Sequence, residues 1–257
     1  MIKSSLEYKK RCIFVKRNSI SLNYSSYQRT MDATPKFLTL AVVQPTSEYI
    51  INSDGALAVI IRNWLPNARL LHDKLVTGIP WICAQMNMYG KTIDIPRAMF
   101  FLGDETVKTY EYSRLSFPVQ SWTHTTNSLY TDIECIRTRI KNDNTLMQLT
   151  GVPLPFDSCL LNYYRSGADS IAAHSDKEAL GPANAVVTIS LGASRSFVFK
   201  NKIKGDNGRY STIKTLLHNG DLVLMAGRCQ ELWTHSIPRE ECDESRISLT
   251  YRLIGYH

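Results

Sequence analysis

From residue 158 onward the chain is written in short alternating runs separated by turn residues: CLLNYY, AVVTISL, SFVFK, DLVLMAG and RISLTYRLI. Alternation sends successive side chains to opposite faces of a strand. Gly205-Asp206-Asn207-Gly208 and Asn219-Gly220-Asp221 punctuate the runs as hairpin or loop turns. Many short strands at regular spacing predict a β-sandwich or barrel for this half of the chain. No internal repeat accompanies them.

Ahead of this region the pattern is mixed. Residues 36–50 (KFLTLAVVQPTSEYI) read as a strand and loop. Ser53 and Asp54 can cap a helix through Ala56–Leu65, which Pro66 interrupts. A second helical stretch covers Asn67–Leu75 and ends near Gly78. Residues 82–89 (ICAQMNMY) alternate and run into Gly90-Lys91, a turn signal. Leu129, Ile133, Ile136 and Ile140 recur at helical spacing before polar Lys141-Asn142-Asp143-Asn144. That is one amphipathic helix, expected to brace a sheet.

The 257 residues suffice for one large domain or two small ones, and 44% hydrophobic content is ample for a core. No apolar run approaches the ~20 residues of a membrane span. Six cysteines lie scattered with no CxxC pair. This argues against a zinc ribbon or disulfide scaffold and for a reducing compartment. Residues 1–30 hold seven cations against Glu7 alone, a net of +6, leaving +1 for the remainder. Three readings of this basic tail (1–35, disordered or targeting) stand level. It is an arm attracted to phosphate backbones, a transit-like segment, or an extension without function if Met31 is the start.

His174-Ser175-Asp176 places an imidazole and a carboxylate at i and i+2, on one face if this is a strand. His235 follows 59 residues after Asp176. Two histidines and one carboxylate can occupy one face of an octahedral metal, the arrangement that suits non-haem Fe(II). The bland alternatives are a surface histidine and a hydrogen-bonded core histidine. In the last strand Arg246, Ser248, Thr250 and Arg252 alternate with Ile247, Leu249, Tyr251 and Leu253. An arginine facing a barrel interior is costly without a carboxylate, and no acid in this strand can serve. A bound dicarboxylate would, through a bidentate fork. The alternative is an exposed edge with two solvated arginines. Asn162 and Tyr164 share a face upstream, and both can donate to an anion.

The strings NYYRSGADSIAAHSDKE, ISLGASRSFVF, HNGDLVLMAG..Q..W.HSIP and RISLTYR, in this order, closely resemble the AlkB family of Fe(II)- and 2-oxoglutarate-dependent dioxygenases. The resemblance runs from about Ile79 to Ile254. It implies a mainly β fold with flanking α: a double-stranded β-helix (jelly-roll) core at 151–257. Residues 36–150 become helical support and a nucleotide-recognition lid, forming one compact domain with the core. His174, Asp176 and His235 match the iron ligands. Arg246 matches the arginine that pairs with the distal carboxylate of 2-oxoglutarate, and Arg252 the second arginine, near the co-substrate and Asp176. Asn162 and Tyr164 match the co-substrate hydrogen-bonding pair. Glu178 matches an acid that contacts the exocyclic amine of the target base. The closing motif of the family usually reads R-x-N-L-T-F-R; here Ser248 replaces Asn and Tyr251 replaces Phe.

The segment MYGKTIDIPR and the string YEYS resemble the family's lid. Tyr89 stands where the duplex-acting branch carries an apolar wedge that fills the gap left by a flipped base. Tyr110 and Tyr112 fall where the family places aromatics against the base. Arg97 is assigned to phosphate or the flipped nucleotide. Each has a plain alternative as an exposed tip, a core aromatic or a solvated cation. The resemblance implies Fe(II), 2-oxoglutarate and O2 as cofactors and methylated DNA or RNA as partner. It further implies a monomer and an intracellular location, the nucleus ahead of mitochondrion or cytoplasm. The implied activity is direct-reversal repair of 1-methyladenine and 3-methylcytosine. The rivals are RNA or tRNA demethylation, hydroxylation of a protein side chain, and a non-catalytic jelly-roll module that binds nucleic acid.

Overall fold

A computed structural model describes residues 45–88, 90–112, 115–123, 125–176, 181–205 and 207–255, without the side chains of Met88 and Tyr112. The expectations for the basic tail, Tyr89 and Glu178, and for the side chain of Tyr112, lie outside this description.

In chain order the elements begin with β1 (Thr46–Ser53), β2 (Ala56–Arg62), α1 (Ala68–Gly78), β3 (Gln85–Met88), β4 (Lys91–Asp94) and β5 (Ala98–Gly103). Next come β6 (Thr109–Tyr112), β7 (Leu115–Pro118), β8 (Gln120–Ser121), α2 (Ser128–Lys141), α3 (Asn144–Thr150) and β9 (Ser158–Tyr164). Then follow β10 (Ile171–His174), β11 (Val186–Gly192), β12 (Arg195–Lys204), β13 (Tyr210–Leu217), β14 (Leu222–Gly227), α4 (Cys229–Leu232), β15 (Trp233–Ile237) and β16 (Arg246–Arg252). Two sheets dominate. The larger has eight strands in the order β1-β2-β14-β11-β16-β9-β5-β8, and the smaller four in the order β10-β15-β12-β13. This is the expected jelly-roll core, mainly β with flanking helices.

The inner strands of the large sheet are buried on both faces, and their alternation says which face is which. Ile247, Leu249 and Tyr251 of β16 join Val187, Ile189 and Leu191 of β11 in a cluster with Leu75 of α1 and Ile133, Ile136 and Ile140 of α2. The other face of the sheet looks toward the small sheet. There Val186, Val223 and Met225 pack with Phe197, Phe199, Trp233 and Ile237. The predicted brace is therefore α2, and Tyr251 ties it down by donating its hydroxyl to Ile133 O at 2.8 Å. A further short helix, α3, follows at once, capped by Asp143, whose side chain accepts from Leu146 N. The polar run 141–144 concealed that second start.

One expectation is overturned. Ala56–Leu65 is not a helix: residues 56–62 form β2, paired with β1 and β14. Val59 and Ile61 face the helices while Ala58 and Ile60 face the small sheet, so a strand buried on both sides shows no period-two signature. Three β-branched residues in a row favour the strand. Of the supposed cap, Ser53 ends β1, and Asp54 forms with Gly55 the turn of a hairpin. Both residues have positive φ, 53° and 76°, as a two-residue type I′ turn requires.

The segment read as helical support and lid also supplies β1, β2, β5 and β8, half the strands of the large sheet. Its remaining strands form two hairpins, β3–β4 and β6–β7. These settle on the end of the large sheet through Ile95, Met99, Phe101, Tyr110, Phe117 and Leu160, with Met86 and Leu115 packed alongside.

Candidate active site

The two sheets enclose a cavity of about 230 Å³. From the small sheet, β10 and β15 pair so that His174 and His235 are direct cross-strand partners. Alternation then sets His235 on the inward face between Trp233 and Ile237. Asp176 lies two residues past His174, just beyond the end of β10. Candidate ligand atoms of His174, Asp176 and His235 all lie within 4.8 Å of one another. The side chains that the spacing grouped are thus brought together, although Asp176 reaches the site from a loop and not from a strand face.

Their protonation suits a cation. Nδ1 of His174 donates to Ala172 O at 2.9 Å, since a carbonyl can only accept, which leaves Nε2 free for the site. Burial holds the His174 imidazole below its ordinary pKa and pushes that of His235 down to about 3. Burial alone would raise Asp176, but the Arg252 guanidinium and the two imidazoles outweigh it and hold the carboxyl below its usual range. At neutral pH the group is two neutral imidazoles and one carboxylate. Arg252 Nη2 donates to Asp176 Oδ1 at 2.5 Å. The other oxygen, Oδ2, is buried, accepts no hydrogen bond and lies 3.5 Å from His235 Nε2. A buried carboxylate oxygen left without a donor is costly in a closed protein. A metal ion bridging Asp176, His174 and His235 would satisfy it, and oxygen plus imidazole donors suit Fe(II).

The large sheet supplies the opposite wall. Register pairs Arg246 with Tyr164 and Ser248 with Asn162 across β16 and β9. Arg246 is 1% exposed, which settles the choice between a solvated edge and an interior cation. Its Nε donates to Ser190 Oγ at 2.9 Å, while Nη1 and Nη2 find no hydrogen-bond partner. Its guanidinium lies 5.2 Å from the centre of the Tyr164 ring, and burial pulls its pKa below the ordinary value. Two adjacent guanidinium nitrogens aimed into a polar cavity match a carboxylate, so the residues present fit the distal end of 2-oxoglutarate.

Asn162 and Tyr164 both line the cavity, with Thr188, Ser248 and Thr250. The oxygen of Asn162 is taken by Arg97 Nε at 2.7 Å, leaving its NH2 group to donate. Arg97 is itself 2% exposed. It is a buried partner of Asn162 on β9, which overturns the alternative of a solvated cation. Tyr110 lines the cavity, stacked on Phe101 at 4.8 Å, with the Arg252 guanidinium 5.8 Å from its ring centre.

Three neighbours were missed in the sequence. Ser190 holds Arg246 and sits on the inward face of AVVTISL, where alternation with Thr188 could have found it. Phe197 stacks on His235 with ring centres 5.6 Å apart and planes 13° from parallel. Gln230, in the stretch Arg228-Cys229-Gln230-Glu231 ahead of Trp233, accepts from Asp176 N at 3.0 Å.

The chain matches the family model described as the 2OG-Fe(II) oxygenase superfamily over residues 57–252. It is 30% identical over 187 residues to the Homo sapiens protein named DNA oxidative demethylase ALKBH2, covering 71% of this chain and 66% of that one. Identity to the Arabidopsis thaliana protein of the same name is 27% over 260 residues, covering 90% and 78%. The Rattus norvegicus protein named alpha-ketoglutarate-dependent dioxygenase alkB homolog 3 is 30% identical over 197 residues, covering 74% and 61%. The matches thus span roughly two thirds of the relatives' length.

Proposed function

Because this chain belongs to the AlkB family within the 2OG-Fe(II) oxygenase superfamily, we propose that it repairs DNA by oxidative removal of N-methyl groups from 1-methyladenine and 3-methylcytosine. The cofactors are Fe(II), 2-oxoglutarate and O2. The observation that carries the reading is the facing of two complementary sites across one cavity. His174, Asp176 and His235 stand on one side, and the unpartnered Nη1 and Nη2 of Arg246 on the other.

His174, Asp176 and His235 would hold Fe(II), which with 2-oxoglutarate and O2 would supply the chemistry that oxidises an N-methyl group to N-hydroxymethyl, lost as formaldehyde, with succinate and carbon dioxide as the co-products. The chain's own part is placement. Arg246 fixes the distal carboxylate, and Asn162 and Tyr164 donate to the same anion. Arg252 keeps Asp176 ionised and oriented. Tyr110 and Glu111 of the hairpin β6–β7 line the cavity, the hairpin β3–β4 packs into the same cluster as Tyr110 through Met86, and Tyr110 offers an aromatic face to a cationic methylated base. The flanking positions Tyr89, Tyr112 and Glu178 carry the wedge and base contacts that the family resemblance assigns them, in a duplex-acting enzyme that works as a monomer in the nucleus. Among the described residues no helix is long and apolar enough to cross a membrane.

The test loads the protein anaerobically with Fe(II) and 2-oxoglutarate, adds O2, and measures formaldehyde from matched 1-methyladenine oligomers as single-stranded DNA, duplex DNA and RNA. Release from DNA that disappears in His174→Ala is expected. Release from RNA alone would move the substrate to RNA. Succinate formed with no formaldehyde from any polymer would overturn base demethylation.

A further inference from the structure

Asp176 is the one residue of the triad that no ladder holds. His174 ends β10 and His235 lies within β15, each fixed by sheet pairing. Asp176 follows after the strand has ended. A carboxylate on a loop must be restrained elsewhere if its oxygen is to sit within the few tenths of an ångström that a metal bond tolerates.

Two contacts supply that restraint. Arg252 holds the carboxylate through Oδ1. The main chain is held separately: the Asp176 N–H donates to Oε1 of Gln230 at 3.0 Å. Gln230 is buried on α4, the single turn that precedes β15 and its His235. It is anchored at its other end, with Nε2 3.5 Å from Met225 Sδ on β14. Lys202 Nζ of β12 donates to its carbonyl oxygen at 2.8 Å. One buried amide therefore joins the Asp176 loop to the large sheet and to the turn that leads into His235. Arg252 fixes where one oxygen points; Gln230 fixes how far the residue stands from the two histidines.

We propose that Gln230 is a positioning residue for the metal, its side-chain oxygen setting the distance of Asp176 from His174 and His235 through the Asp176 main chain. This rests on the metal reading given above. Outer-shell partners of metal ligands typically change affinity by about 10–100-fold when removed, and a partner acting on the backbone of the least constrained ligand belongs with them.

The probe is Co(II), titrated into metal-free protein and followed by its visible absorption. Melting temperatures of the metal-free proteins are measured alongside. Gln230→Leu removes the acceptor at nearly constant volume. Its Co(II) Kd is expected to rise about tenfold, with altered absorption bands and a melting temperature close to that of the parent. Gln230→Glu keeps an oxygen at the same reach and should bind Co(II) at least as tightly as within about threefold of the parent. Leu232→Val disturbs the packing of α4 and leaves both ends of the Gln230 amide in place, and its Kd should not change. A Gln230→Leu Kd within twofold of the parent would overturn the proposal. So would equal weakening in Leu232→Val, which would make the effect one of packing, even if Gln230→Leu proves unstable. If the parent itself binds Co(II) no better than His174→Ala, the metal reading fails first, and the two failures are told apart.

Discussion

The small sheet meets the cavity with two neutral imidazoles and a carboxylate, whereas the large sheet meets it with two guanidinium groups, an amide and hydroxyls. One wall is built for a cation and the other for an anion. The difference explains how so small a space can hold a metal and a dicarboxylate without either taking the other's place. The Arg252–Asp176 ion pair crosses between the walls, and both partners are nearly completely buried. That pair is where the two specialisations depend on each other.

Cutting it should have the largest effect. Asp176→Ala removes a metal ligand and also takes from the buried Arg252 guanidinium the carboxylate it donates to. Breaking a buried pair from one side typically costs ~3–5 kcal/mol. Metal-free Asp176→Ala is expected to melt well below the parent and to bind no Co(II), whereas His235→Ala should lose the metal with a smaller loss of stability. The carboxyl's folded pKa is depressed, so the pair's contribution is complete above the ordinary carboxylate range and fades as pH falls through the lower folded value. The gap between parent and Asp176→Ala should therefore narrow in acid. Equal melting temperatures for the two variants at neutral pH would show that the walls do not depend on this bridge.

The anion wall makes a sharper test because its two effects have opposite signs. Arg246→Met takes away a buried cation whose terminal nitrogens have no partner in the ligand-free protein. Removing that desolvated charge should raise the melting temperature of the ligand-free chain. Loss of a buried carboxylate partner is worth ~2–5 kcal/mol in binding, so KM for 2-oxoglutarate should rise about 100-fold. Adding 2-oxoglutarate should stabilise the parent and not the variant. Co(II) affinity measured without 2-oxoglutarate should be unchanged. A variant that is less stable and still responds to 2-oxoglutarate would place the co-substrate elsewhere.

The two walls were unequally legible in the sequence. β16 announced itself because polar and apolar residues alternate on it: Arg246, Ser248, Thr250 and Arg252 face the cavity while Ile247, Leu249 and Tyr251 face the helices. β2 lies three strands away in the same sheet, yet it read as a helix, since both its faces are apolar and alternation carries no information there. The histidines were visible through their spacing, but not that they would be direct cross-strand partners, which depends on a strand register between residues 61 apart. Arg97 was visible as a cation but not as a buried one, because one sequence shows charge and not depth. Gln230 needed its fold context altogether: its contact with Asp176 joins residues 54 apart through a side chain.

The smallest expected effect concerns the face of the large sheet that touches neither site. Tyr251 stands on β16 between Thr250 and Arg252, which both line the cavity, but its own ring points away from it. It is fully buried, packs 6.4 Å from Phe156 between ring centres, and gives its hydroxyl proton to Ile133 O on α2. Burial raises its pKa well above the ordinary phenol value, so it stays a neutral donor throughout the working range. Tyr251→Phe deletes that donor and keeps the ring. The Ile133 carbonyl also accepts within α2's own ladder, so the loss should be near the ~1 kcal/mol of an average buried hydrogen bond and not the larger cost of an orphaned group. Melting temperature should fall by a few degrees while KM for 2-oxoglutarate and Co(II) affinity stay put. A change in either binding constant would mean that the brace helix reaches through the strand to set Arg252, and the separation between a chemical face and a scaffold face would have to be given up.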